Sequence, residues 1–180
     1  MSAYAENPVP CLGDLLRACT TIQDILGLAH YGPRGSLEKS QVSVLVVDDY
    51  EAFRKFICSV LLKDSRLEIV GEASDGLDAV CKAEQLQPDL IVLDIGLPRL
   101  NGIEVARQIC LRVPQSKILF LTLETSPDVV QEALSTGARG YVAKAKAGTE
   151  LMAAVDAVLE GRRFISSNIT VDPDSFDPLS

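Results

Sequence analysis

Five polar residues follow short apolar runs of the sequence, at positions where the strands of a parallel sheet would end. They are three aspartates, a threonine and a lysine: Asp48, Asp49, Asp94, Thr122 and Lys144. In an open α/β sheet the carboxyl ends of the strands meet at one crevice, and ligands bind in that crevice. We therefore expect the five side chains to lie close together.

This set of side chains is suited to phosphoryl transfer. Two carboxylates about 4 Å apart repel each other by roughly 4 kcal/mol at an effective dielectric constant of about 20, so three in one crevice favour a bound cation. Oxygen ligands suit Mg²⁺ better than a softer metal. A carboxylate beside Mg²⁺ can attack phosphorus when an ammonium, here that of Lys144, neutralises charge on the phosphoryl oxygens. The Thr122 hydroxyl can donate a hydrogen bond to the same oxygens once they have arrived.

The elements that must position these residues are predicted from the hydrophobic pattern. Between Val42 and Gly161, short apolar runs alternate with segments of helical periodicity, which is typical of a parallel sheet covered by helices on both faces. The predicted strands are 42–47, 67–70, 90–93, 117–121 and 140–143. The predicted helices cover about 51–63, 76–86, 103–112, 126–136 and 149–160.

Residues that start or stop helices mark several of these boundaries. Asp75 and Ser126 precede two helices as predicted N-caps, and Pro127 takes a first helical position. Gly137 and Gly161 are predicted to end the fourth and fifth helices.

The chain divides into three predicted regions. Residues 42–161 form one α/β domain, residues 1–41 an N-terminal extension, and residues 162–180 a C-terminal tail without periodicity, for which we expect disorder. Apolar residues at helical spacing predict an amphipathic helix over 12–29, followed by a linker. We interpret that helix as an intramolecular or dimer contact and not as a membrane anchor, because its polar face is mainly acidic.

Composition argues against several other classes of function. The 180 residues are 47% hydrophobic and 23% charged, which is enough apolar material for one packed domain. The formal net charge of -8 would repel nucleic-acid phosphates, so direct DNA binding by this chain is not expected. The five cysteines include no Cys-x-x-Cys pair, so we expect thiols rather than disulfides or a zinc site. Without a signal segment or a long apolar stretch, the prediction is a cytoplasmic protein that does not contact membranes.

Four motifs in order, each at a predicted strand end, resemble those of response-regulator receiver domains. The resemblance covers about residues 42–161. The segment Gly137-Ala138-Arg139-Gly140-Tyr141 is most similar to the receivers of LuxR-type two-component transcription regulators. The motifs are Val46-Val47-Asp48-Asp49, Leu93-Asp94-Ile95-Gly96-Leu97-Pro98 with Asn101-Gly102, Leu121-Thr122, and Gly140-Tyr141-Val142-Ala143-Lys144.

The resemblance implies a fold and a set of site roles. The fold is a doubly wound, flavodoxin-like α/β domain whose five parallel strands run in the order 2-1-3-4-5, with helices on both faces. Asp94 is the implied phosphoryl acceptor, Lys144 the phosphate partner, and Thr122 and Tyr141 the switch residues. The implied Mg²⁺ ligands are Asp48, Asp49, Asp94 and the backbone carbonyl of Gly96, with Asp49 binding more directly than Asp48.

The implied function is that of a response regulator in a two-component phosphorelay. A sensor histidine kinase would donate its phosphoryl group to Asp94, and the face formed by the fourth helix, the fifth strand and the fifth helix would change shape. That face would bind a downstream protein, which the sequence does not identify, or a second copy of the chain. No enzyme activity is implied beyond self-phosphorylation and slow autodephosphorylation.

Three features depart from most receivers. Ala145 stands where many receivers have a proline after the lysine, which leaves the geometry of this loop open, although LuxR-type receivers often share the feature. Leu123 follows the switch threonine where smaller residues are common, and we expect its bulk to restrict access to an acyl phosphate and lengthen its lifetime. LuxR-type regulators continue into a helix-turn-helix domain, but the residues after Gly161 are too few for one, so we expect this chain to lack that output domain.

Two other functions fit part of the pattern. An aspartyl-phosphate phosphohydrolase shares the nucleophilic aspartate and Mg²⁺, but usually carries a second aspartate two positions later, where this chain has Gly96. A receiver fold that acts without phosphorylation would keep its function after Asp94→Asn. Among single residues, Asp48-Asp49 could simply cap a helix, and Tyr141 could be an ordinary core aromatic. His30 lies in the linker and is not expected to be a phosphorelay site.

Overall fold

The computed structural model describes residues 41–169, which form a parallel sheet between two layers of helices. The strands are β1 (Val42–Val47), β2 (Leu67–Ala73), β3 (Leu90–Leu93), β4 (Lys117–Thr122), β5 (Gly140–Ala143) and β6 (Phe164–Ile165). The helices are α1 (Glu51–Leu61), α2 (Gly76–Leu86), α3 (Gly102–Arg112), α4 (Pro127–Ser135) and α5 (Ala147–Leu159), and a 3₁₀ turn at Lys144–Lys146 joins β5 to α5.

All neighbouring strands are parallel, and the sheet has the order β2-β1-β3-β4-β5-β6. The predicted doubly wound fold and its order 2-1-3-4-5 are confirmed, while the predicted count of five strands is corrected to six. Val47 lies opposite Leu93, and Leu93 lies opposite Phe120, so β1, β3 and β4 end at nearly the same level. This alignment brings the polar residues at their carboxyl ends to one edge.

The central strands supply two separate hydrophobic layers by alternation. In β3, Leu90 and Val92 pack with residues of α1 and α5, whereas Ile91 and Leu93 pack with residues of α2, α3 and α4. All four residues are buried, because helices cover both faces of this strand. Asp94 therefore follows directly from the middle of the core.

β2 is three residues longer than predicted. The predicted strand stopped at Val70, one residue before Gly71, and glycine is a residue type that is unfavourable inside a strand. The strand continues to Ala73, and its pairing with β1 shifts register midway, as at a β-bulge. A Cβ on Gly71 would lie 2.7 Å from Leu86 Cδ1, so the glycine lets the end of α2 pack closely on the sheet.

One predicted helix cap is correct and another is wrong. Asp75 Oδ1 accepts a hydrogen bond from the backbone N–H of Asp78 at 2.9 Å, as expected of an N-cap. Ser126 precedes α4 and Pro127 begins it, but the Ser126 side chain makes no capping hydrogen bond. The start of α4 therefore depends on the fixed φ angle of the proline and not on a hydroxyl cap.

Several predictions lie outside the described residues. They concern the helix over 12–29 and its linker, His30, Cys11, Cys19 and the tail from residue 170 onward. Within residues 41–169, Cys58 is buried, Cys81 and Cys110 are half-buried, and none of the three forms a disulfide. No helix in this part of the chain is long and apolar enough to cross a membrane.

The sixth strand comes from residues 162–169, which the sequence analysis assigned to the tail. β6 pairs with β5, and the Ser166 N–H donates to the Tyr141 carbonyl at 2.9 Å. The hydroxyls of Ser166 and Ser167 donate to the Glu150 carboxylate, and these hydrogen bonds lower the pKa of Glu150. The folded domain therefore extends past its predicted end.

Ile169 tests whether this segment belongs to the fold. Its side chain is 8% exposed and packs in the hydrophobic layer that contains Tyr141. Ile169→Ala is expected to lower the free energy of unfolding by about 2 kcal/mol, because it removes buried methyl and methylene groups. Urea denaturation measures the change, and Asn168→Ala, at the exposed neighbouring position, is the control. Equal stability of the two variants would contradict the packing of residues 162–169 on the domain.

Candidate functional site

The polar residues predicted from the sequence meet at the carboxyl edge of the sheet. β1 leads into Asp48 and Asp49, β3 into Asp94 and β5 into Lys144, while Thr122 is the last residue of β4. Four of them line an open cavity of about 680 Å³. The lining residues are Asp49, Tyr50, Phe53, Asp94, Gly96, Thr122, Leu123, Glu124, Lys144 and Ala145.

Lys144 forms ion pairs with two of the three aspartates. Its Nζ lies 2.6 Å from Asp94 Oδ2 and 2.8 Å from Asp48 Oδ2. The side chains are largely buried, with exposed fractions of 10% for Lys144, 6% for Asp94 and 4% for Asp48. Because solvent screens these buried groups so little, the two adjacent carboxylates depend on the Lys144 ammonium for their countercharge.

The pKa values of the cluster reflect a balance between burial and pairing. Burial raises the pKa of Asp48 and outweighs the opposite effects of Lys144 and of the Tyr50 N–H, which donates to Asp48 Oδ1 at 2.9 Å. Burial also disfavours the ammonium form of Lys144, but its hydrogen bonds to Asp48 and Asp94 outweigh burial and raise its pKa. Lys144 thus keeps its proton, and the carboxylates favour additional positive charge.

The three aspartates are close enough to share a cation. One carboxylate oxygen from each of Asp48, Asp49 and Asp94 lies within 4.8 Å of the others. Asp49 is exposed and lines the cavity, so the group can be reached from solvent. Gly96 lies at the same cavity, where its backbone carbonyl is the predicted further ligand. An oxygen-only donor set of this kind fits Mg²⁺, the ion that the sequence predicts.

Thr122 and Tyr141 are connected through Glu124, a residue that the sequence analysis did not single out. Thr122 Oγ1 accepts a hydrogen bond from the Glu124 N–H at 3.3 Å, and the Tyr141 hydroxyl donates to the Glu124 carbonyl at 2.9 Å. Thr122 is 1% exposed and Tyr141 is fully buried. Burial raises the pKa of Tyr141, so its hydroxyl keeps the proton that it donates. Glu124 was missed because its main chain makes both contacts, and main-chain contacts leave no signal in residue type.

Phe53 also reaches the site, although it was not among the site residues predicted from the sequence. Its ring centroid lies 4.9 Å from Lys144 Nζ, and the ring lines the cavity. The ring also packs on Phe56, with the two centroids 5.8 Å apart. Because α1 begins only a few residues after β1, its first turn lies beside the strand end. That position was the available sign that Phe53 belongs to the site.

Close packing fixes the main chain of Asp94. Its N–H donates to the Val47 carbonyl at 2.9 Å, and the Gly102 N–H donates to the Ile95 carbonyl at 2.9 Å. A Cβ on Gly102 would lie 2.0 Å from the Asp94 carbonyl oxygen, so this position accommodates a hydrogen atom and nothing larger. The packing of the start of α3 therefore fixes the position of the Asp94 main chain in the site.

The two residues that depart from most receivers both lie at the cavity. The Lys144–Ala145 peptide bond is trans, and the 3₁₀ turn carries the chain from Lys144 into α5. This answers the question that the missing proline left open. Leu123 is 76% exposed at the cavity wall. Its predicted effect on the lifetime of an acyl phosphate stays a prediction.

The order and spacing of these residues match a known protein family. A family model described as the response regulator receiver domain matches residues 44–156. The chain belongs to this family. The resemblance drawn from the four sequence motifs is thereby confirmed.

Known response regulators are similar to this receiver over most of its length. The DNA-binding transcriptional activator DevR/DosR of Mycobacterium tuberculosis is 39% identical over 126 residues, which is 70% of this chain and 58% of that protein. The transcriptional regulatory protein DegU of Brevibacillus brevis is 31% identical over 134 residues, or 74% of this chain and 57% of that protein. The chain thus spans less than two thirds of the length of these relatives.

Solved structures give the same match for the receiver fold. A LuxR-family two-component response regulator from Aurantimonas sp. SI85-9A1 superposes with a TM-score of 0.69 at 32% identity, covering 72% of this chain and 93% of that one. The signal receiver domain of NarL from Mycobacterium tuberculosis superposes with a TM-score of 0.65 at 31% identity, covering 68% of this chain and 99% of that one. The receiver domain is therefore the part of these proteins that this chain shares.

Proposed function

We propose that this receiver is a phosphorylation switch that accepts a phosphoryl group on Asp94 from a sensor histidine kinase. The observation that carries the proposal is the contact of the Lys144 ammonium with Asp94 at the wall of an open cavity. A carboxylate nucleophile, its countercharge and the space for a phosphodonor occur together at this one place. This arrangement is what transfer of a charged group requires.

The proposed reaction forms one bond and breaks another at phosphorus. A carboxylate oxygen of Asp94 attacks the phosphorus of a phosphohistidine, the new phosphorus–oxygen bond forms, and the bond from phosphorus to the imidazole nitrogen breaks. The leaving nitrogen takes up a proton from water. Lys144 is 2.6 Å from the nucleophile and can pair with the phosphoryl oxygens as they approach, which stabilises their charge during transfer.

Mg²⁺ would be held by the carboxylates of Asp48, Asp49 and Asp94, with the Gly96 carbonyl as a further ligand. When bound, the ion supplies positive charge to the phosphoryl oxygens. Asp48 is fixed by Lys144 and by the Tyr50 N–H, whereas the exposed Asp49 can turn toward an ion that enters from solvent. This difference supports the more direct binding role that the resemblance implies for Asp49.

We assign the switch to Thr122, Glu124 and Tyr141. A phosphoryl group on Asp94 offers the Thr122 hydroxyl new acceptor oxygens, and a shift of Thr122 would disturb the turn whose Glu124 carbonyl holds the Tyr141 hydroxyl. The disturbance would reach the face formed by α4, β5 and α5. Because the new hydrogen bond exists only in the phosphorylated protein, it favours one state of that face over the other.

The partners follow from this assignment. A histidine kinase would supply the phosphoryl group, and the switched face would bind a downstream protein or a second copy of the receiver. We place the protein in the cytoplasm, where such kinases present their phosphohistidine. The net charge of -8 supports a protein partner and not nucleic acid for this chain.

The experiment that tests the proposal uses acetyl phosphate as the phosphodonor. Wild-type protein and Asp94→Asn are incubated with acetyl phosphate, with Mg²⁺ or with EDTA, and intact masses are recorded. We expect the wild type to gain one phosphoryl group in Mg²⁺ only, and Asp94→Asn to gain none, because the amide is not a nucleophile toward phosphorus. Asp128→Asn, an exposed acid in the first turn of α4, is the matched control and is expected to behave as wild type.

Two results would contradict the proposal. A wild type that gains no mass from acetyl phosphate or from a phosphorylated histidine kinase would favour a receiver fold that binds its partner without phosphorylation. A mass gain in Asp94→Asn equal to that of wild type would place the acceptor at another residue.

A further inference from the structure

The aromatic ring of Phe53 lies against the Lys144 ammonium, which also contacts Asp94. Lys144 Nζ is 4.9 Å from the Phe53 ring centroid while it contacts Asp94 at 2.6 Å and Asp48 at 2.8 Å. The ammonium is therefore surrounded by two carboxylates and the face of a ring. A cation within about 6 Å of a ring centroid is attracted by the negative charge of the ring face.

We infer that Phe53 is a positioning residue for Lys144, and that its ring keeps the ammonium at Asp94 as phosphoryl transfer begins. The inference rests on the proposed function, because it concerns the rate at which Asp94 is phosphorylated. A lysine side chain has many rotamers, and holding it in one of them costs conformational entropy. The ring offsets part of this cost without competing for the carboxylate oxygens.

The surroundings of Phe53 suit a fixed platform. The residue is half-buried in the first turn of α1, packs against the hydrophobic layer shared with α5, and contacts the Phe56 ring. Helix, core and neighbouring ring together limit its motion. Lys144 side-chain exposure is 10%, and cation–π attraction is strongest where the cation has lost water.

The simplest test compares three variants in the acetyl phosphate reaction. In that reaction the bond from phosphorus to the acetate oxygen breaks, acetate leaves, and the phosphoryl group is bound to Asp94. Phe53→Leu keeps apolar bulk but has no ring, and we expect its phosphorylation rate constant to fall about three- to tenfold. Phe53→Tyr keeps the ring and is expected to stay close to the wild-type rate. Phe164→Leu removes a half-buried ring from β6, opposite Gly140 at the far end of β5 from Lys144, and is the control that should also stay close.

A second test separates the electrostatic attraction of the ring face from the packing of the ring. Phe53 is replaced by phenylalanines that carry one, two or three ring fluorines, which weaken the negative face but change the volume little. We expect the phosphorylation rate constant to fall progressively with the number of fluorines. The same series in a Lys144→Met background should give equal rates for all rings, because no cation is present for the ring to attract.

Each outcome bears on the inference. Rates that do not follow the number of fluorines, or an equal decline in the Lys144→Met background, would show that Phe53 acts through packing alone and would overturn it. Thermal unfolding of the same double-mutant set gives a readout that needs no phosphorylation. A wild type that takes up no phosphoryl group would contradict the proposed function, while the unfolding data would still decide whether the ring holds the ammonium.

Discussion

Lys144→Met is expected to slow phosphorylation of Asp94 by about a hundredfold, the effect typical of losing one fixed group that stabilises charge in a transfer reaction. In the wild type the ammonium contacts both Asp94 and Asp48, so its loss also leaves two buried carboxylates without their shared countercharge. Without Mg²⁺, we expect the variant to lose about 3 kcal/mol of unfolding free energy. Mass spectrometry over time measures the rate, and urea denaturation in EDTA measures the stability.

Mg²⁺ is expected to offset part of the stability that Lys144→Met loses. Adding Mg²⁺ should stabilise Lys144→Met more than it stabilises the wild type, because the ion then supplies positive charge that the wild type already has. Lys146→Met removes the same charge two residues later, where the side chain is not among the cavity-lining residues, and is the control. If the two variants lost equal stability and were phosphorylated at equal rates, the central role given to Lys144 would be wrong.

Gly102→Ala is expected to have the largest effect on folding of any single methyl group added at this site. The new Cβ would lie 2.0 Å from the Asp94 carbonyl oxygen and 2.7 Å from Ile95 Cα, both of which belong to the main chain. Neither atom can rotate out of the way, so α3 or the Asp94 segment must shift. We expect a loss of roughly 3 kcal/mol in unfolding free energy.

The same substitution should impair chemistry in the fraction that stays folded. A displaced Asp94 main chain moves the nucleophile relative to Lys144, and a misplacement of about 1 Å can cost on the order of a hundredfold in rate. Gly148→Ala is the matched control, since its Cβ meets no atom within 4 Å and alanine is the better helix former. A Gly102→Ala protein as stable and as active as Gly148→Ala would contradict the close packing of α3 against Asp94.

The sequence predicted those parts of the fold in which local pattern and burial agree. The four aliphatic residues of β3 predicted a strand covered on both faces, and the acid after them predicted the position of Asp94. β1 and its two following aspartates were predicted for the same reason. Since parallel strands end at one edge, knowing the strands was enough to bring Asp48, Asp94 and Lys144 together before any distance was known.

The sequence failed where main-chain geometry or distant contacts decide the structure. The prediction ended β2 before Gly71, but the strand continues to Ala73 through a register shift, and Gly71 leaves room for Leu86 to pack closely on it. β6 has two residues and gains its stability from pairing with β5, which no local pattern shows. In the site, Glu124 acts through its backbone and Phe53 through its ring face, so both resembled ordinary loop and core residues.

The two outer strands, β6 and β2, bear on how the sheet avoids aggregation with other chains. The outer strands of a sheet carry unpaired backbone groups that another extended chain can use to aggregate. In the described part of the chain, one outer strand is β6, which is only two residues long, and the other is β2, which is bulged and carries the exposed charges of Glu68 and Glu72. Neither offers a long, flat, apolar ladder. Within residues 41–169, both outer strands therefore disfavour pairing with another extended chain.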